Sequence, residues 1–125
     1  MSDDNKKALI GYWIFTALIV VSQGASGVMD FLGAAPVLDG VTALGYPAYI
    51  LYILGTAKLL GVVAIAVPGK PLLKEWAYAG FVFDFLGAAA SHVLNGDGPD
   101  LFMAPLVILG FLIGSYTLRP SDRRL

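Results

Sequence analysis

The stretch FVFDFLGAAASHVLNGD, residues 81–97, decides how this chain is read. Its first fourteen residues are apolar or small apart from Asp84, Ser91 and His92, and Asn95-Gly96-Asp97 ends the run as a turn. A run of that kind is a membrane-crossing helix. An unpaired charge within it costs about 2.5–3.5 kcal/mol even on lenient insertion scales, so Asp84 requires a partner or a proton.

The rest of the composition agrees. Of 125 residues, 58% are hydrophobic and 14% charged, where soluble domains carry about 25% charged residues. Mean hydropathy is +0.77. Crossing the hydrocarbon core takes about 20 apolar residues, so the chain has room for about four spans and no separate soluble domain. The formal net charge is -1 and no block of Lys and Arg occurs, which excludes a nucleic-acid partner. The chain has no cysteine, which removes thiolate nucleophiles, disulfide exchange, CxxCH haem attachment and thiolate-held iron–sulfur clusters. A single histidine without metal-ligand spacing around it predicts no metal site and no intrinsic cofactor.

Apolar runs and their punctuation predict spans over 8–32, 46–67, 74–94 and 101–118, in one four-span domain covering 1–125. The first is too long for a cleaved signal peptide and is read as a retained helix. PGKP ends the second and NGDGP the third, and Asp100 is placed as the N-cap of the fourth. Between the first two, Val37, Leu38, Val41 and Leu44 at helical spacing fit either a short interfacial helix or an ordered loop.

Lys6, Lys7, Lys70, Lys74, Arg119, Arg123 and Arg124 all fall on one side of this arrangement. By the positive-inside rule both termini are cytoplasmic. Trp13 and Trp76 then mark the inner interface, Tyr46 and Tyr49 the outer one. The expected fold is an all-α integral membrane protein, a four-transmembrane-helix bundle.

V-x-D-F-L-G-A-A occurs twice, around Asp30 and around Asp84, either by chance or as the trace of two related helix pairs. Depth separates the copies: Asp30 lies about 33 Å along the first span and Asp84 about 15 Å into the third. Lys58, about 17 Å from the outer start of the second span, matches Asp84 in level, so the two are expected to face each other. Gly55 and Gly61 flank Lys58 and permit a close neighbour.

Asp84, Ala88, Ser91, His92 and Asn95 form one stripe, and Gln23, Ser26, Gly27 and Asp30 another. Together they outline a polar funnel opening outward, with Lys58, Asp84, His92, Gln23, Ser91 and Asp30 as candidate ligand-binding residues. Hydrogen-bonded glue between helices is the competing explanation for each of them. Gly110 and Gly114 form a GxxxG that marks a close helix contact, within the chain or between subunits.

Three segments, ASGVMDFLGA at 25–34, LGYPAYILYILGTAKLLGVVAIAVPG at 44–69 and KEWAYAGFVFDFLGAAASH at 74–92, resemble the DoxX-like family of small four-span bacterial membrane proteins. The resemblance implies a four-helix membrane bundle with Lys58, Glu75, Trp76, Asp84, Ser91 and His92 at motif positions. The family takes its name from a subunit of a thiosulfate:quinone oxidoreductase, and most members have no assigned activity. Dithiol chemistry of more distant relatives cannot carry over to a chain without cysteine.

The expected function is binding of a hydrophobic small molecule, such as a quinone, as a membrane subunit of a redox system. A non-enzymatic scaffold or assembly protein is the alternative, and a small transporter a weaker third. Expected partners are membrane lipid and either a second copy or a partner membrane subunit.

Overall fold

Five α-helices follow the apolar runs in the computed structural model, which describes residues 2–125. They are α1 (Asp3–Leu32), α2 (Ala35–Ala43), α3 (Ile50–Ala66), α4 (Pro71–Leu94) and α5 (Pro99–Thr117), with a 3-10 turn at Ser121–Arg123. Among the described residues there is no strand.

Capping chemistry explains where these ends depart from expectation. α1 starts at Asp3 rather than Ala8 because Ser2 caps it, accepting from the Asn5 amide at 3.2 Å, while Asp3 and Asp4 favour the positive end of the helix dipole. It closes at Gly33, whose φ of 64° suits a residue without Cβ. α3 starts at Ile50, not at Tyr46, since the segment before it is a turn in which the Pro47 and Ala48 carbonyls accept from Ile50 and Leu51. α4 gains a turn before Lys74 because Pro71 fits a first-turn position, where its missing N–H has no partner to lose. Gly98, not Asp100, caps α5, with Asp100 in the first turn. Of the two readings for residues 35–43, helix is the one observed.

The four long helices close into a ring in which α1 packs on α3 and α5, and α4 packs on the same two, leaving α1 and α4 diagonal. α2 bridges one end of α1 and α3. The core is Ile19, Ile65, Tyr78, Phe81, Phe85 and Leu112. Outside it the chain turns large apolar side chains outward, with Phe83 76% and Leu94 87% exposed, a periphery suited to lipid rather than water. α1, α4 and α5 are long and apolar enough to cross a membrane, and α3 is an apolar helix of 17 residues.

Glycine sets the α1–α3 crossing. A Cβ on Gly55 would lie 2.8 Å from the Gly27 carbonyl oxygen and the Phe31 nitrogen, both backbone atoms that cannot turn aside. Gly55→Ala is therefore expected to push α1 from α3 and cost about 1–3 kcal/mol. Thermal unfolding in detergent checks this, with Gly110→Ala, which meets open space, as the neutral control. The two glycines beside Lys58 serve different neighbours: Gly55 admits α1, whereas Gly61 admits the Phe81 ring of α4. Gly114 admits the Phe15 ring of α1, while a Cβ on Gly110 would meet nothing within 4 Å among the described residues, so only half of the GxxxG is used within the chain.

Candidate functional site

Lys58 does not pair with Asp84. Its ammonium donates to Asp30 Oδ2 at 2.8 Å and to Ser26 Oγ at 2.9 Å, and Asp30 is only 3% exposed. Matching depth overlooked direction. A Cβ on Gly27 would sit 3.1 Å from the Lys58 Cβ, so the lysine leaves α3 toward α1. Gly55 abuts Phe31, which puts Lys58 one turn deeper than the end of α1, and its flexible stem reaches back outward to Asp30. Asp30 is thus a buried ion-pair partner rather than an interfacial acid.

Asp84 lies elsewhere in the ring. It makes no hydrogen bond or ion pair among the described residues, and it lines two clefts that meet at Leu54, Phe83 and Asp84. The larger, about 480 Å³, runs between α3 and α4 past Lys58, Gly61, Ala64, Leu73 and Trp76. The smaller, about 240 Å³, runs the other way past Gly87, Ala88 and Ser91 to Val41 and Leu44 of α2. From Leu73 to Ser91 the groove follows α4 for about 27 Å, close to the thickness of a hydrocarbon core.

The expected funnel therefore resolves into two features. Its stripes lie on α1 and α4, which are diagonal, and α3 stands between them. Gln23, Ser26 and Asp30 are on the α1 side, with Gln23 buried at 4% exposure. Asp84, Ala88 and Ser91 are on the groove side, and Lys58 alone touches both. The two copies of V-x-D-F-L-G-A-A are accordingly not equivalent: one acid is buried and paired, the other unpaired in a groove.

At the α2 end Tyr46 and Ser91 share a hydrogen bond of 2.6 Å, tying the turn before α3 to α4. His92 Nδ1 meets Asp97 Oδ2 at 2.7 Å, and the Asn95 amide donates to both Asp97 oxygens. These bonds, the histidine first, hold the Asp97 carboxyl below the usual carboxylate range. His92 fastens the 95–98 loop and does not line the groove. No group of three or more potential metal ligands occurs among the described residues.

The opposite end holds a cluster that sequence reading missed. The last four carbonyls of a helix lack intrahelical partners, and at the end of α3 two cations take them. Lys74, 1% exposed, donates to Ala64 O at 2.9 Å and to Val67 O, while Arg123 donates to Ile65 O at 2.9 Å and Ala66 O at 3.2 Å. Arg123 also lies 4.8 Å over the Trp13 ring. Beside them Glu75 binds Arg119 and accepts from the Tyr116 hydroxyl at 2.9 Å, and Thr16, Ser115 and Tyr78 form a buried hydroxyl chain. One signal was available: a lysine in the first turn of α4 opposes that helix's own dipole and so points to another helix.

No curated protein and no solved structure matches the chain. The sequence model of the DoxX-like family matches residues 14–115, a run that takes in both polar features and the glycines that set their crossing, and this small membrane protein belongs to the DoxX-like family.

Proposed function

We propose that the α3–α4 groove binds a hydrophobic small molecule, a quinone foremost, and that the protein serves as a membrane subunit of a redox system. The observation that carries this reading is the pairing of long apolar walls with one unsatisfied carboxyl at the point where the two clefts meet. A ligand of this class needs few polar anchors in an otherwise apolar site. In this reading α3 is the fourth span, both termini face the cytoplasm and the protein is a multi-pass resident of the bacterial inner membrane. The clustering of Lys74, Arg119 and Arg123 at one end supports that orientation. In this reading electrons come from a partner subunit.

Gly80 gives a clean test. It lines the larger cleft, and a side chain there meets open space rather than protein, so Gly80→Leu fills the groove and leaves the helix packing intact. Native mass spectrometry of protein extracted with its lipids is expected to show a co-purifying quinone-class molecule on the wild type and at least tenfold less on Gly80→Leu. Equal occupancy of both proteins sinks the proposal.

A second reading rests on Gly110, which faces outward with nothing against it. In that reading the protein is a scaffold whose α5 face receives a partner helix. A stoichiometric partner lost on Gly110→Leu and kept on Gly80→Leu selects it.

A further inference from the structure

Arg124 is held in place without being neutralised. Its Nε donates to Arg119 O at 2.7 Å, while among the described residues its two terminal nitrogens have no acceptor and no acid pairs with it. It lines a cleft of about 370 Å³ between the start of α1 and the tail that follows α5. One wall is Asn5, Ala8 and Leu9, which stand at i, i+3 and i+4 on one face of α1. Gly11 lets the tail come close, since a Cβ there would lie 2.9 Å from Leu118 Cδ1. The 3-10 turn at Ser121–Arg123 then carries the tail to the end of α3, where Arg123 is tied, and residues 118–121 with Arg124 make the second wall.

The charge in these walls is of one sign. Arg119 binds Glu75 through Nη1 and keeps Nε, which is fully buried, without an acceptor among the described residues. Glu75 offsets the charge of Arg119, so Arg124 brings the net positive charge to the cleft. Guanidinium groups present N–H donors in a fork that matches phosphate oxygens, and the Ser121 hydroxyl and Asn5 amide add neutral donors. No carboxylate of the described residues lines the cleft, Asp4 and Asp122 being exposed neighbours outside it. The rest of the wall is apolar, from Ala8, Leu9, Leu118 and Pro120.

We propose that this cleft binds a net-anionic phospholipid, its phosphodiester held by Arg124 and Arg119 and the start of an acyl chain laid against Leu9 and Leu118. Basic pockets at the ends of membrane helices hold anionic lipid heads in this way. A soluble phosphate ester would leave the apolar half of the wall unused. A zwitterionic lipid brings an ammonium toward Arg124, whose charge nothing in the cleft offsets. The cleft shares no residue with the α3–α4 groove, so the lipid site stands or falls independently of the ligand proposed there.

The full chain, stripped of lipid in detergent, is mixed with equal amounts of phosphatidylglycerol and phosphatidylcholine carrying the same acyl chains, and the retained lipids are counted by native mass spectrometry. The wild type is expected to keep one phosphatidylglycerol in about tenfold preference to phosphatidylcholine. Arg124→Gln, an exposed position outside the helices, is expected to cut that preference about fivefold. Lys7→Gln removes the same charge from the side of α1 away from the cleft and is expected to leave the preference intact. Equal retention of the two lipids by the wild type, no loss in Arg124→Gln, or an equal loss in both variants overturns the site. Glycerophosphoglycerol, the same head without its chains, is expected to leave the lipid bound at hundredfold excess; displacement would make the cleft a site for soluble phosphate esters and overturn the lipid assignment.

Discussion

Lys58→Met is expected to lower stability by about 3–5 kcal/mol, because it leaves the Asp30 carboxylate buried without its counter-charge. Methionine keeps most of the stem that packs against Gly27, so the loss reports charge rather than volume. Replacing both partners, Lys58→Met with Asp30→Leu, is expected to recover most of it, since a buried ion pair is often no more stabilising than an apolar pair of similar size. Unfolding in mixed micelles measures all four corners of the cycle. Lys58→Met combined with Asp84→Leu serves as the contrasting cycle, and there the coupling should be clearly smaller than in the Asp30 cycle, since the two side chains line one cleft without bonding each other. Strong coupling of Lys58 to Asp84 and none to Asp30 would reverse the assignment of the pair.

That contrast shows what a sequence can and cannot say about such a site. The helices were legible because hydropathy and turn residues are one-dimensional signals, and PGKP and NGDGP interrupt the apolar runs where the helices end. The identity of the polar residues was legible too, since a lysine or an acid in an apolar run stands out. Their pairing was not. Depth along a helix is a count of residues, but the face a side chain leaves from depends on which neighbour the helix packs against. Here that choice is made by Gly27 and Gly55, whose close approach turns Lys58 toward α1. Nothing in the run around Asp84 reveals that its level-matched lysine is already taken.

The ring order has the same status. Stripes on the first and third spans read as one funnel only while those helices are taken as neighbours, and in the structure α3 separates them. The separation gives each acid a distinct environment. Asp30 is paired with Lys58 inside the α1–α3 interface, and Asp84 lines the α3–α4 groove. One lysine connects the two, so a change in the ion pair would be felt in the groove without altering its walls.

Lys74→Met carries the second large effect. The ammonium closes the end of α3 by bonding Ala64 O and Val67 O, and hydrogen bonds to a charged group are each worth about 1.5–3 kcal/mol. Met fills nearly the same space, so the expected loss of about 2–4 kcal/mol reflects the stranded Ala64 carbonyl and a Val67 carbonyl left with only the 3.4 Å contact from Arg123, both at the negative end of the helix dipole. Arg123→Met removes the donors to Ile65 O and Ala66 O and should weaken the same turn. Because both cations act on one helix end, the double variant should lose less than the sum of the two singles, the remaining turn having already frayed. Hydrogen exchange over residues 60–67 is the direct readout, with protection falling there before it falls in α1 or α5. The groove is affected as well, since Ala64 on the last turn of α3 and Leu73 beside Lys74 both line its larger arm. Lys74→Met should therefore weaken binding of an amphiphile by several-fold without touching Asp84 or Lys58. Unchanged exchange over 60–67 in the variant would mean that the carbonyls find other partners, and the cap assigned to Lys74 would be wrong.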